Sequence, residues 1–289
     1  MFVHGDNLTQ KENHQAKYLD GESKNYLREI RAEYTKWKAA NLALVGPLKN
    51  PTENDDKIIT DRVKLFNDYK DFIDQQRYAE KFDSRSNLHS SVLEEFNFYL
   101  FKDLVASIGS NALIGKAHTF KDIFFNPSSF EDMVKTPNTK IEVKDHDFVI
   151  GTTVHTTFIC NGQTVGESYS LDVPAVAIEC KTYLDKTMLE GASSAAHELR
   201  TRNPNSLYIV LSEWLKLTEN VNLKKYFVDQ IYILRKQKNT DREYRYEEGY
   251  VKNPIYADVV VHLFGLVRAH LTASWQTGQQ SRLDRGFLK

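Results

Sequence analysis

The sequence predicts an α/β protein whose core is a mixed sheet flanked by helices, with a helical N-terminal part. Three observations carry that expectation. Up to about Ile108, apolar residues recur at helical spacing; after Gly109, short β-type runs take over; and one helical segment lies between two strands as a β-α-β unit. With 289 residues, 41% of them hydrophobic and 12% aromatic, the chain is long enough to bury a substantial core. We divide it into a helical region over residues 1–80 and a core with recognition loops over 81–289.

Taken in order, residues 1–21 are polar and read as loosely ordered. Leu27, Ile30, Tyr34 and Trp37 form a stripe on a helix running from Glu22 to about Val45, and Gly46-Pro47 and Asn50-Pro51 punctuate its end. Ile59, Val63, Phe66 and Ile73 mark a second helix from Asp55 to about Gln76. Val92, Leu93, Phe96, Leu100 and Leu104 mark a third from Leu88 to Ile108. Strands follow at 141–150, 153–160 and 174–181, with a turn at Asn161-Gly162-Gln163. A helix from Lys186 to Arg202, strands at 206–212 and 228–235, and a helix from Ile255 to Leu271 complete the pattern.

Composition narrows the function classes. Charged residues make up 27% of the chain but cancel to a formal −1. That argues against a uniformly basic surface and leaves room for one basic face on a nucleic-acid binder. Cys160 and Cys180 cannot hold zinc alone, and no CxxC spacing occurs. The start lacks a signal-peptide pattern, and no window approaches the ~18 consecutive apolar residues of a membrane span. The expectation is a soluble cytoplasmic protein with no membrane partner.

The chemistry concentrates in Val173-Pro174-Ala175-Val176-Ala177-Ile178-Glu179-Cys180-Lys181. An apolar strand ends by presenting a carboxylate and an ammonium. Strand geometry puts Glu179 and Lys181 on one face and Cys180 on the other. Desolvating that pair needs compensation, which a metal ion or a reaction using both groups supplies. Upstream, Lys144-Asp145-His146-Asp147-Phe148-Val149-Ile150-Gly151 also runs from polar into apolar strand and offers Asp147 as a second carboxylate. An Asp followed at a distance by Glu-x-Lys is the pattern of the PD-(D/E)XK nucleases. Hard oxygen ligands suit Mg²⁺, and Lys181 would orient the attacking water or stabilise charge. An edge salt bridge has the same local signature. On the third helix, Glu95 flanks the buried stripe while Glu94 leans toward solvent, which makes Glu95 the better candidate for a third acid.

These blocks resemble the BbvCI-like family of asymmetric, heterodimeric type II restriction endonuclease subunits. The likeness runs through Phe82-Asp83-Ser84-Arg85, Ser91-Val92-Leu93-Glu94-Glu95-Phe96, the Asp147 block, Val173 to Leu189, Leu207-Tyr208-Ile209-Val210, and Val228 to Arg235. It implies a PD-(D/E)XK restriction-endonuclease-like fold and hydrolysis of double-stranded DNA at a short specific sequence, one strand per subunit, in a bacterial cytoplasm. Asp147, Glu179 and Lys181 become the catalytic residues, with Glu95 as accessory acid. Asp147, Glu179, Glu95 and the Cys180 carbonyl become metal ligands. Mg²⁺ is the implied cofactor, with Mn²⁺ substituting and Ca²⁺ binding without cleavage. His146 stands where the motif has Pro, and Asp145 is the alternative to Asp147. The implied partner is a related second nuclease subunit, with a homodimer as the alternative.

For DNA contacts we single out Arg85, Lys186, His197, Arg200, Arg202, Arg235, Lys236, Gln237 and Lys238, residue types that grip phosphates or base edges. The bland reading of such a run is a solvated loop. Two other functions compete: a repair or structure-specific nicking nuclease of the same fold, and a non-catalytic DNA-binding module with a decayed core.

Overall fold

A computed structural model describes residues 2–82, 88–240, 246–275, 283–284 and 286. Its first element is unexpected. Residues 3–12, read as loosely ordered, form helix α1 (Val3–Glu12). Leu8 is its only large apolar contribution, so local pattern gives no warning. Long-range hydrogen bonds hold the helix instead. The His4 ring bonds to Ser91 Oγ (2.9 Å) and the Tyr69 hydroxyl (2.6 Å), and the His4 backbone N–H donates to Glu95 (2.9 Å). Gly5 is required here, because a Cβ would lie 2.3 Å from the Tyr34 hydroxyl.

Helices α2 (Gly21–Ala43), α3 (Asp55–Ile73), α4 (Gln76–Lys81) and α5 (Leu88–Ile108) follow the predicted segments, with α4 as a short addition. A five-stranded mixed sheet comes next, in the order β1 (Leu113–Phe125), β2 (Thr139–Phe158), β3 (Glu167–Leu184), β4 (Leu207–Leu215), β5 (Gln230–Ile233). The first three strands pair antiparallel and the last three parallel. Helix α6 (Phe130–Met133) sits between β1 and β2, α7 (Lys186–Arg202) crosses between β3 and β4, and α8 (Ala257–Thr272) follows β5. The strands expected at 141–150 and 153–160 are one bent strand. β1 escaped prediction because bulges after Gly115 and Phe120 reset its period-two pattern.

Alternation along β3 and β4 sorts two cores. Val176, Ile178 and Cys180 with Ile209 and Leu211 face one hydrophobic cluster that also takes residues of α1 to α5 and α8, so the N-terminal helices and the sheet share it. Ala177, Tyr208 and Val210 face a smaller cluster with Leu189, Ala192, Ala196 and Leu199 of α7. Among the described residues no helix is long and apolar enough to cross a membrane.

Candidate active site

β3 is buried on both faces over residues 176–178, immediately before it reaches Glu179 and Lys181, near the end where α7 begins. Its last ladder pair with β2 is Phe148 with Ile178. At the next step β2 carries a bulge: Val149 and His146 are three positions apart while their β1 partners, Gly115 and Ala117, are two apart. Bulges re-aim side chains. Here Asp147 turns its carboxylate onto β3, where Oδ2 accepts the Cys180 N–H at 2.8 Å. The same extra residue breaks the alternation that would have put Asp145 beside it. Asp145 is exposed and bonded to the His118 ring, and it does not line the cavity that Asp147 lines.

Lys181 Nζ sits between the two acids, 2.6 Å from Glu179 Oε1 and 3.5 Å from Asp147 Oδ2. The Tyr208 hydroxyl donates to Glu179 Oε2 at 3.3 Å. Asn97 Nδ2 donates to Cys180 Sγ at 3.2 Å, which turns the thiol away from the acids and into the helical core. Asp147, Cys180 and Lys181 line an open cavity of about 440 Å³ together with Glu94 of α5 and Lys116 of β1.

The electrostatics are strained. Burial and the neighbouring Glu179 carboxylate raise the Asp147 carboxyl above the usual range, against the pull of Lys181 and the Cys180 N–H. Burial and Asp147 push Glu94 up to about 7. Its buried Oε2 accepts no hydrogen bond among the described residues and meets Lys116 Nζ at 3.7 Å. Burial alone would lower the Lys181 ammonium, but Asp147 and Glu179 outweigh it and hold it above the ordinary lysine range.

Such a donor set fits a hard divalent cation: two carboxylates converge on one positive charge, and a third, under-bonded carboxylate lines the same cavity. Among the described residues no three acidic, imidazole or thiol groups stand close enough to hold a metal by themselves. An ion that keeps several waters and needs only one or two carboxylates, as Mg²⁺ does, matches that arrangement.

Glu95 is a correction. Its carboxylate is directed away from Asp147 into a buried clamp, accepting the His4 and Gly5 N–H groups at Oε2 (2.9 and 3.1 Å) and the Tyr34 and Tyr99 hydroxyls at Oε1 (3.0 and 2.5 Å). Glu94, expected to lean toward solvent, is the acid in the cavity. The reason is that α5 is covered on nearly every side, so no face of it is a solvent face. The apolar residues around its whole circumference were the available signal. No sequence pattern pointed to Lys116 or Tyr208.

The expected DNA contacts scatter. Arg85 lies outside the described residues. Arg235 is another correction: it is 0% exposed, bonded to Glu213 at 3.1 Å and to the Asn253 carbonyl at 2.7 Å, and stacked over Trp214. It belongs to the core, because its counter-charge comes from β4. Gln237 spends its amide on the Val251 carbonyl (3.0 Å) and the Asn253 N–H (2.9 Å). On α7, Arg200 pairs with Asp229, Arg202 with Asp122 at 2.8 Å, and the His197 ring packs 4.6 Å from Phe227. Lys236 pairs with Asp258 at 2.6 Å, and Lys238 lies 3.8 Å from Glu219. Lys186 is exposed at the start of α7, two residues before Met188, which lines the cavity.

Comparison with known proteins agrees with this architecture. The model of the Bpu10I restriction endonuclease family matches residues 85–288, more than half the chain. Among solved structures, a chain described as "native BbvCI A2B2 tetramer at low resolution" superposes with a TM-score of 0.71 at 18% identity, covering 94% of this chain and 98% of that one. No functionally curated protein matches the chain.

Proposed function

This chain belongs to the Bpu10I restriction endonuclease family, which makes it a type II restriction enzyme subunit, and we propose that Asp147, Glu179 and Lys181 are its catalytic residues. The observation that carries the proposal is the convergence of both carboxylates on Lys181 at the rim of an open cavity. Restriction endonucleases work with a divalent metal ion, and we assign Mg²⁺ here, held by Asp147, Glu179 and the Cys180 carbonyl. When bound, Mg²⁺ polarises the scissile phosphate and makes a coordinated water more acidic. Mn²⁺ would substitute, and Ca²⁺ would bind without supporting cleavage.

The residues divide the remaining work. Lys181 orients the attacking water and offers positive charge to the phosphate as it gains negative charge. Asp147 keeps its hold on the Cys180 N–H, which fixes the carboxylate relative to β3. Tyr208 does the same for Glu179. Glu94 replaces Glu95 as the accessory acid: its under-bonded Oε2 is an acceptor for a water proton. Lys116 and Lys186 are suited to flanking phosphates, where each contact adds salt-dependent affinity.

One such centre per chain cuts one strand, so a double-strand break needs two chains. The solved relative is an A2B2 assembly. A heterodimer with a related nuclease subunit is therefore the competent species we infer, with both chains contributing to one asymmetric site. The test uses Glu179→Gly combined with the wild-type partner on a supercoiled plasmid carrying one site. Stable open-circle product, cut only on the partner's strand, is expected. Full-rate linear product would mean either that Glu179 is dispensable or that the partner's centre serves both strands, and either outcome overturns the proposal.

A further inference from the structure

A second cavity, of about 420 Å³, adjoins the catalytic one, and Thr182 and Tyr183 line both. Its floor holds charges that are rarely buried without a reason. Lys70 and Glu213 are each 1% exposed, and Lys70 Nζ lies 3.0 Å from Glu213 Oε1 and 3.2 Å from Asp74 Oδ1. Arg235 completes Glu213 at 3.1 Å, and His89 Nδ1 meets Asp74 at 3.1 Å. Lys252 bridges Asp71 and Asp74 at 2.6 and 3.3 Å. Three cations thus face three carboxylates, and burial lowers the pKa of the His89 ring against the pull of Asp74.

That balance decides the ligand class. A phosphate site needs cationic excess, and here each cation already has its counter-ion. What the cavity offers is fixed hydrogen-bonding groups without net charge, beside the aromatic rings of Tyr183 and Trp214, which are partners across β3 and β4. Two aromatic rings beside a charge-balanced polar floor, in the volume range of small-molecule sites, suit a neutral planar heterocycle that both stacks and hydrogen-bonds. An ion clamp that served stability alone would gain from being filled with side chains, because empty space forfeits contacts.

We propose that this cavity receives a nucleobase of the DNA substrate, turned out of the duplex beside the scissile phosphate. The inference rests on the nuclease reading above and adds a specificity-determining site to it. Turning a base out costs its pairing and stacking, so an enzyme that does so binds more tightly when the pairing is already lost.

The experiment first maps the sequence cut by the chain with its partner. It then measures binding, in Ca²⁺, of duplexes carrying one abasic position opposite each base of that sequence in turn. At one position, adjacent to the cut, affinity should rise about tenfold, which is about 1.4 kcal/mol. Ala79→Trp fills the cavity from a half-exposed position on α4 and should abolish that gain, with its melting temperature as the folding control. Cleavage without a tightening position, or an unchanged gain in Ala79→Trp, overturns the base pocket and leaves the nuclease intact. Failure to cut any sequence overturns the nuclease reading, and the pocket falls with it.

Discussion

Glu94 and Glu95 are consecutive residues of one helix, both are buried, and burial raises the carboxyl of each. They differ in what surrounds them. Four donors from α1, α2 and α5 surround Glu95, two on each oxygen. Glu94 has an oxygen with no hydrogen bond among the described residues, Lys116 at 3.7 Å, and a carboxylate, Asp147, as a repulsive neighbour. A folded chain that satisfies one acid completely and leaves its neighbour wanting has put the first to use in assembly. The second lines the cavity of Asp147 and Lys181, where we propose that metal and substrate act. The carboxylates of the buried network at Glu213 share one trait with Glu95, in that their partners come from the chain itself. Burial would raise both Glu213 and Asp74, yet Lys70, helped by Arg235 at Glu213 and by His89 at Asp74, carries them below the ordinary range.

The sharpest way to break this comparison is truncation. Glu95→Ala strands two backbone N–H groups and two tyrosine hydroxyls in the core, and should cost about 3 kcal/mol or more of unfolding free energy. Glu94→Ala removes a carboxyl whose ionisation burial and Asp147 oppose, and should leave stability of the metal-free chain unchanged or raise it. Urea unfolding in EDTA reads both. Equal losses would mean that the two acids do the same structural work.

The next effect is linkage to metal. With Asp147 and Glu94 repelling across the cavity, Ca²⁺ should stabilise the folded chain by RT ln(1 + [L]/Kd), about 2.7 kcal/mol at a hundredfold excess over Kd. Glu179→Ala should lose most of that gain, and Glu95→Gln should keep it despite a lower starting stability. Thermal scans in Ca²⁺ that overlay the EDTA trace would make Asp147, Glu179 and Lys181 a structural ion triplet.

How far the sequence reveals this contrast depends on the distance over which each residue is decided. Glu179 and Lys181 are legible because period two along an apolar strand is a local rule, and the structure keeps them on one face. Asp147 is legible as a strand acid, but its separation from Asp145 depends on a bulge that hydrophobic pattern does not announce. Helix α1, Glu95 and Arg235 are misread for a common reason. Their partners are Ser91 and Tyr69, His4 and Gly5, and Glu213, all distant in the chain. A polar residue looks solvated until the group that satisfies it folds into place. The parallel strands and the long helices α2, α3, α5, α7 and α8 are readable; the short helices and the pairing of buried polar groups are not.

The smallest effect is also the most specific to Glu94. Its folded carboxyl sits at about 7, against 4.5 as the ordinary value for the unfolded chain. Between those values the folded state holds a proton that the unfolded state has released, so unfolding free energy falls as pH rises. The contribution is fully present below 4.5 and is lost as pH climbs through about 7, at no more than about 1.4 kcal/mol per pH unit. The whole-protein curve hides it. Burial depresses His4, His89 and His146, the last to about 4, and a depressed histidine adds stability as pH rises. The difference between parent and Glu94→Gln isolates the acid, since the histidines are common to both. In EDTA, that difference should decline steadily from pH 4.5 to 7 and flatten above. A flat difference across the window would show that Glu94 ionises like a solvated glutamate, and the contrast with Glu95 would then rest on hydrogen-bond geometry alone.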